Sequence, residues 1–185
     1  MLTLSIDVGI LHLASTVVDV IPGTIPSVKT CALRSIGCAK DSMQRLIHKL
    51  LQTIRDNTDD LCPVDLEKVV IEQQNGCKAT KNFALSAVLF AYYTELAYQR
   101  NQNIIVQFVN PLNKFKKLQQ IQGVPGVSDL THQIKNTKGT ALKRLSVQMA
   151  TALATHWNCT VFLDKLSSVV KKDDICDSFL QGVLS

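Results

Sequence analysis

The sequence has no apolar run long enough to cross a membrane. The longest nearly unbroken one, Ala84 to Tyr93, is about half of what a bilayer requires. The six cysteines (31, 38, 62, 77, 159 and 176) contain no C-x-x-C pair and no paired spacing. That argues against a disulfide framework or a zinc site and predicts free, mostly buried thiols of an intracellular, reducing compartment. There is no internal repeat and no low-complexity tract. The chain opens on Met1-Leu2-Thr3-Leu4-Ser5-Ile6-Asp7 with no basic or Arg/Ser-rich leader, so no targeting address is expected.

What is present is core material. Hydrophobic residues make up 46% and charged residues 19% of 185, which excludes a disordered or fibrous chain and predicts one domain spanning residues 1–185. The net charge of +5 is modest, but its distribution is uneven. From Asn110 to Arg144 lie Lys114, Lys116, Lys117, Lys135, Lys138, Lys143 and Arg144 against the single acid Asp129, a local +6 that leaves the rest of the chain at −1. A basic segment on a near-neutral body points to a polyanion partner. The stretch from about 110 to 138 holds Gly123, Pro125 and Gly126 and reads as a long basic loop, a kind of segment that tends to be functional or disordered.

Periodicity orders the elements. Leu2 to Asp7, Leu13 to Val20 and Val28 to Arg34 read as three strands joined by short links, an antiparallel meander, with Pro22, Gly23 and Pro26 marking one turn. Leu46, Ile47, Leu50, Leu51 and Ile54 follow a helical stripe, with Asp41 or Ser42 as cap. A buried strand at Lys68 to Gln73, a long helix at Ala79 to Arg100 and a strand at Ile104 to Val109 follow. Helices are expected at Thr140 to Trp157 and Asp173 to Leu184, with a short strand or loop at Val161 to Leu163. The expected architecture is α/β: a mixed five-stranded sheet, three strands in a meander plus parallel strands, flanked by helices.

Asp7 and Glu72 each end a buried apolar strand, where a carboxylate is costly unless paired, hydrogen-bonded or metal-bound. Asp173, Asp174 and Asp177 open the last helix, where acids also serve as simple caps. Acids three or four apart on a helix share a face, so geometry leaves Asp173 and Asp174 tied as the partner of Asp177. Such a cluster suits Mg²⁺, a hard ion that prefers oxygen ligands. Two ions against four carboxylates would nearly neutralise the pocket and serve phosphodiester hydrolysis.

The segments Ser5-Ile6-Asp7-Val8-Gly9-Ile10, Val70-Ile71-Glu72-Gln73-Gln74 and Lys171-Lys172-Asp173-Asp174-Ile175-Cys176-Asp177-Ser178-Phe179 come in that order. Together they resemble the RuvC-like Holliday junction resolvases, in particular the poxviral and fungal mitochondrial branch. The resemblance implies an RNase H-like fold and a homodimeric endonuclease that resolves four-way DNA junctions with Mg²⁺ or Mn²⁺, leaving 5′-phosphate and 3′-hydroxyl ends. Carried over position by position, it makes Asp7, Glu72, Asp174 and Asp177 the metal-binding acids and Asp173 the non-ligating first acid of D-D-x-x-D. It also implies a functional lysine at the start of the helix after the basic segment, a place that Lys143 fits, with Arg144 as the alternative. Where poxviral relatives carry Lys-Asn after the first motif, this chain has Leu11-His12, and His12 is a further acid/base candidate.

On this reading the catalytic residues are Asp7, Glu72, Lys143, Asp174 and Asp177. Lys114, Lys116, Lys117, Lys135, Lys138 and Arg144 grip phosphates, and Phe115 either stacks on an unpaired base or packs under its own loop. Aromatic residues around more than one face of the long helix (Phe83, Phe90, Tyr92, Tyr93 and Tyr98) make it the candidate dimer interface, with a core role as the competing reading. No membrane and no small-molecule cofactor are expected. The missing leader favours a virus-infected host cell over a mitochondrion. The competing functions are an RNase H-type nuclease on RNA–DNA hybrid and a non-catalytic junction-binding protein. An actin-like ATPase would need a second glycine-rich phosphate loop after Glu72, which the sequence does not contain.

Overall fold

The computed structural model describes residues 1–74, 76, 79–121, 123–134, 137 and 139–185. Its centre is a five-stranded sheet in the order β3-β2-β1-β4-β5. β1 (Leu2–Asp7), β2 (Leu13–Asp19) and β3 (Ser27–Arg34) form the antiparallel meander. β4 (Lys68–Glu72) and β5 (Ile105–Val109) join it in parallel, β4 alongside β1. Gly9 allows the tight β1–β2 link, since a Cβ there would lie 2.7 Å from the His12 carbonyl oxygen.

Strand alternation sends side chains into two cores. Leu2, Leu4, Ile6, Val69 and Ile71 meet α1 (Met43–Asp56) and α3 (Thr80–Gln99) on one face. In α1 the stripe Leu46, Leu50, Ile54 is buried, and Ser42 caps the helix by accepting the Arg45 amide at 3.3 Å. In α3 the stripe is Leu85, Leu89 and Tyr93, and the Tyr93 hydroxyl donates to the Leu61 carbonyl of α2 (Thr58–Leu61) at 2.9 Å. Tyr93 is thus a core residue, while Phe90 stacks on Phe108 of β5 with ring centroids 5.0 Å apart. Phe83 and Tyr98 stay exposed.

The opposite face carries α6 (Thr140–His156), α7 (Thr160–Ser168) and α8 (Lys172–Val183) over a second core. α7 replaces the expected strand or loop at Val161 to Leu163. Its apolar residues have helical spacing once Leu166 is included: Phe162 and Leu166 are both buried, and Phe162 stacks on Phe179 at 4.0 Å. The long basic loop at about 110–138 is also corrected. It contains α4 (Asn113–Leu118) and α5 (Val127–Gln133), pinned by buried Phe115, Leu118, Val124 and Val127. Among the described residues no helix is long and apolar enough to cross a membrane.

α8 lies close against β1 and β2 because the residues between them are small. Ser178 shares a 2.9 Å hydroxyl contact with Thr16, and a Cβ at Gly182 would lie 3.1 Å from Val18 Cγ1 and 3.2 Å from Ser5 Cβ. Gly182→Val is therefore expected to lift α8 off the sheet and destabilise the chain by about 2 kcal/mol, since adding bulk to a packed core typically costs ~1–3 kcal/mol. Urea unfolding checks this, and an unchanged midpoint would contradict it.

Candidate active site

Ile6 pairs with Ile71 across the parallel β1–β4 ladder, so the residues that follow them, Asp7 and Glu72, end neighbouring strands side by side. Period-two alternation turns both toward α8. The carboxyl ends of adjacent parallel strands are where open α/β sheets receive ligands. α8 brings Asp177 to them, and one carboxylate oxygen from each of Asp7, Glu72 and Asp177 lies within 4.8 Å of the others. The acids line a cleft of about 470 Å³ together with Gly9, Leu11, His12, Gln74, Lys143, Lys171 and Asp174.

A buried cation answers this acidity. The Lys114 side chain of α4, only 4% exposed, places Nζ 2.6 Å from Asp177 Oδ1 and 4.0 Å from Glu72 Oε2. Neutral donors complete the shell. Ser146 of α6 donates to Asp177 Oδ1 at 2.5 Å. Gln181 of α8 donates to Glu72 Oε2 at 2.6 Å, and Gln74 donates to Glu72 Oε1 at 3.4 Å.

Burial holds the Asp7 carboxyl well above its ordinary value, and the negative neighbours Glu72, Asp177 and Asp174 push the same way. Burial likewise pushes Glu72 up to about 7, although the Lys114 ammonium pulls against it. Asp174 is raised by burial and by Asp173. Hard oxygen donors converging at this range, already drawing a lysine ammonium to themselves, fit a divalent cation. Asp7, Glu72 and Asp177 would hold it.

The two helix-start acids separate. Asp174 lines the cleft, with Oδ1 3.2 Å from Lys171 Nζ. Asp173 is bound by Lys171 and by Lys143, each at 2.6 Å. Burial would raise Asp173, but those two ammonium groups hold it down at about 2. Lys143 is half-exposed and sits both on Asp173 and on the cleft wall.

Of the residues assigned to phosphate binding, Lys114 is spent inside the acidic cluster. Phe115 is buried in the second core, so it is not free to stack on a base. Lys116, Lys117 and Arg144 are exposed, and Lys117 also donates to the Leu184 carbonyl. Lys135 and Lys138, like Cys77, fall outside the described residues. Lys114, Ser146 and Gln181 were not anticipated at the site. Only Gln181 carried a signal, standing four residues after Asp177 and seven after Asp174 on one helical face.

No protein-family model matches the chain. It is 29% identical over 144 residues to an uncharacterised protein of Acanthamoeba polyphaga mimivirus, a match covering 75% of this chain and 33% of that protein. The chain therefore spans about a third of the length of the curated relative it matches. Among solved structures it is similar to the yeast mitochondrial Holliday junction resolvase Ydc2, with a TM-score of 0.65, 16% identity, and coverage of 98% of this chain and 77% of that one. It is also similar to Thermus thermophilus RuvC in complex with Holliday junction substrate, with a TM-score of 0.57, 10% identity and coverage of 100% and 92%. The fowlpox virus resolvase in complex with its junction DNA gives a TM-score of 0.54, 16% identity and coverage of 99% and 95%. The fold is that of the RuvC-like resolvases, an RNase H-like α/β sheet flanked by helices.

The raised carboxyls set a pH dependence. Between the ordinary 4.5 of Glu72 and its value of about 7 here, the folded chain binds a proton that the unfolded chain has released, so stability falls as pH rises. Asp7 acts with the same sign. In EDTA the melting temperature is expected to drop by roughly 5 °C or more from pH 5 to pH 8, and Mg²⁺ to restore it mainly at pH 8. Thermal melts across that range check it; a flat profile would contradict the clustered acids.

Proposed function

We propose that this chain is a metal-dependent endonuclease that resolves four-way DNA junctions as a homodimer. The observation carrying this reading is the convergence of the Asp7, Glu72 and Asp177 carboxylates at the ends of β1 and β4, on a fold shared with resolvases solved on junction DNA. Mg²⁺, or Mn²⁺ in its place, two ions per site, would supply Lewis acidity for phosphodiester hydrolysis leaving 5′-phosphate and 3′-hydroxyl ends.

The chain's own groups supply position and charge. Asp7, Glu72, Asp174 and Asp177 hold the ions. Ser146 and Gln181 fix two of those carboxylates, and Lys114 keeps the cluster from repelling itself and its substrate. Lys143, poised at the cleft wall on Asp173, meets the scissile phosphate. Exposed Lys116, Lys117 and Arg144, with Lys135 and Lys138 between them in sequence, grip flanking phosphates. His12 lines the cleft beside the acids, within reach of a substrate rather than deep in the core.

Resolution needs two symmetrical nicks, so two sites must face one junction, which a two-fold dimer provides. Exposed Phe83 and Tyr98 on α3 support that helix as the interface. The mimivirus, fowlpox and yeast mitochondrial likenesses support action in a virus-infected cell or a mitochondrion.

In Mg²⁺ a labelled four-way junction is expected to receive paired symmetrical nicks, while linear duplex, splayed arms and RNA–DNA hybrid stay intact. Glu72→Gln and Asp174→Asn should each lower the rate by at least ~100-fold. Preferential cutting of the hybrid would move the function to an RNase H, and tight binding without cutting in either metal would leave a junction-binding protein. Lys116→Ala and Arg144→Ala should weaken junction binding. Each should also make the plot of log affinity against log salt shallower by about 0.9 for every phosphate that is no longer neutralised, as fluorescence anisotropy at several salt concentrations would show.

A further inference from the structure

We infer that Gln181 is a positioning residue for Glu72, fixing its carboxylate in the orientation that receives a divalent ion. The inference rests on the reading of Asp7, Glu72 and Asp177 as the metal-holding group. It starts from helix geometry. Asp174, Asp177 and Gln181 stand at i, i+3 and i+7 of α8, so one stripe carries all three to the strand ends.

The close approach of α8 leaves Gln181 only 5% exposed. A buried primary amide must find partners for its donors and its acceptor. Here the Nε2 amide donates to Glu72 Oε2 at 2.6 Å, and Oε1 accepts from the Ser5 hydroxyl of β1 at 3.4 Å. Ser5 lies two residues before Asp7 on the same strand face. The chain Ser5–Gln181–Glu72 thus ties β1, α8 and β4, the three elements that bear the acids.

Glutamate has three side-chain torsions, and the backbone restricts chiefly the first, leaving the orientation of the carboxylate to its contacts. Three groups address the Glu72 carboxylate. Lys114 stands 4.0 Å from Oε2 and belongs to Asp177, and the Gln74 amide reaches Oε1 only at 3.4 Å, whereas Gln181 holds Oε2 at 2.6 Å. The short, charge-assisted bond from Gln181 is therefore the contact that selects the Glu72 rotamer. Outer partners of metal-binding groups commonly change ion affinity by ~10–100-fold when removed.

The test is Mn²⁺ binding to the full chain, followed by electron paramagnetic resonance of the free ion, with thermal melts on the same samples. Gln181→Met keeps the volume and removes the amide. Gln181→Asn keeps the amide and withdraws it by one methylene. Both are expected to weaken Mn²⁺ binding at least ~10-fold while the protein still melts cooperatively, and Glu72→Gln serves as the control that removes a ligand. Wild-type affinity in either Gln181 variant, even with a lowered melting temperature, would show a packing role only and overturn the inference while leaving the metal site standing. No Mn²⁺ binding by the wild-type chain would instead overturn the metal-site reading and this inference with it.

Discussion

Three carboxylate oxygens lie within 4.8 Å of one another at the end of the sheet. Two unit charges at that distance repel by about 3 kcal/mol in a partly buried setting with an effective dielectric near 20. A fold can keep such a group only by surrounding it with opposite charge and donors, or by letting it take up protons. This chain does both: Lys114, Ser146 and Gln181 arrive from three different helices, while burial raises Asp7 and Glu72. The placement of α4, α6 and α8 around the strand ends is bound up with that compensation. A divalent ion would add the charge that one lysine supplies only in part.

The depth at which α8 sits decides whether its acids reach the strands at all. Gly182 against Val18 and Ser5, and Ser178 against Thr16, bring the helix axis in close. On the opposite side of α8, Cys176, Phe179 and Leu180 fill the second core. The helix is thus small toward the sheet centre, bulky toward α6 and α7, and acidic along the edge that meets β1 and β4. One 12-residue segment carries packing, register and chemistry on three faces, which leaves little freedom in its orientation.

Much of this was legible in the sequence because the strands and long helices have strong apolar periods. β1 matches its expected limits, Leu2 to Asp7, and α3, α6 and α8 lie within a residue of expectation at each end. The elements that escaped are short. α7 showed only Val161, Phe162 and Leu163 as an apolar cluster, too brief to distinguish strand from helix without knowing that Leu166 is buried. α4 is a six-residue helix with three lysines, and its charge hid the helix that Phe115, open to either packing or stacking from sequence, and Leu118 anchor. The tie between Asp173 and Asp174 was unbreakable from spacing. In space the two acids differ: Lys143 and Lys171 both lie on Asp173, while Asp174 lines the cleft.

The same short helix shows why local charge is a poor guide to surface. The window from Asn110 to Arg144 reads as a uniform basic patch, yet α4 divides its lysines by helical phase. Lys114 and Phe115 point into the protein, one to the acids and one to the second core, while Lys116 and Lys117 on the next half-turn face solvent. Removing water from an ammonium group is tolerable only where an anion awaits it. An inward lysine in a basic segment therefore implies an acid beside it, and the partly buried Asp177 is that acid. On the proposed reading, this joins binding to chemistry. The segment whose outer lysines would hold the DNA backbone is anchored through its inner lysine to the carboxylates that would hold the ions, so Lys116 stands two residues from Asp177's partner.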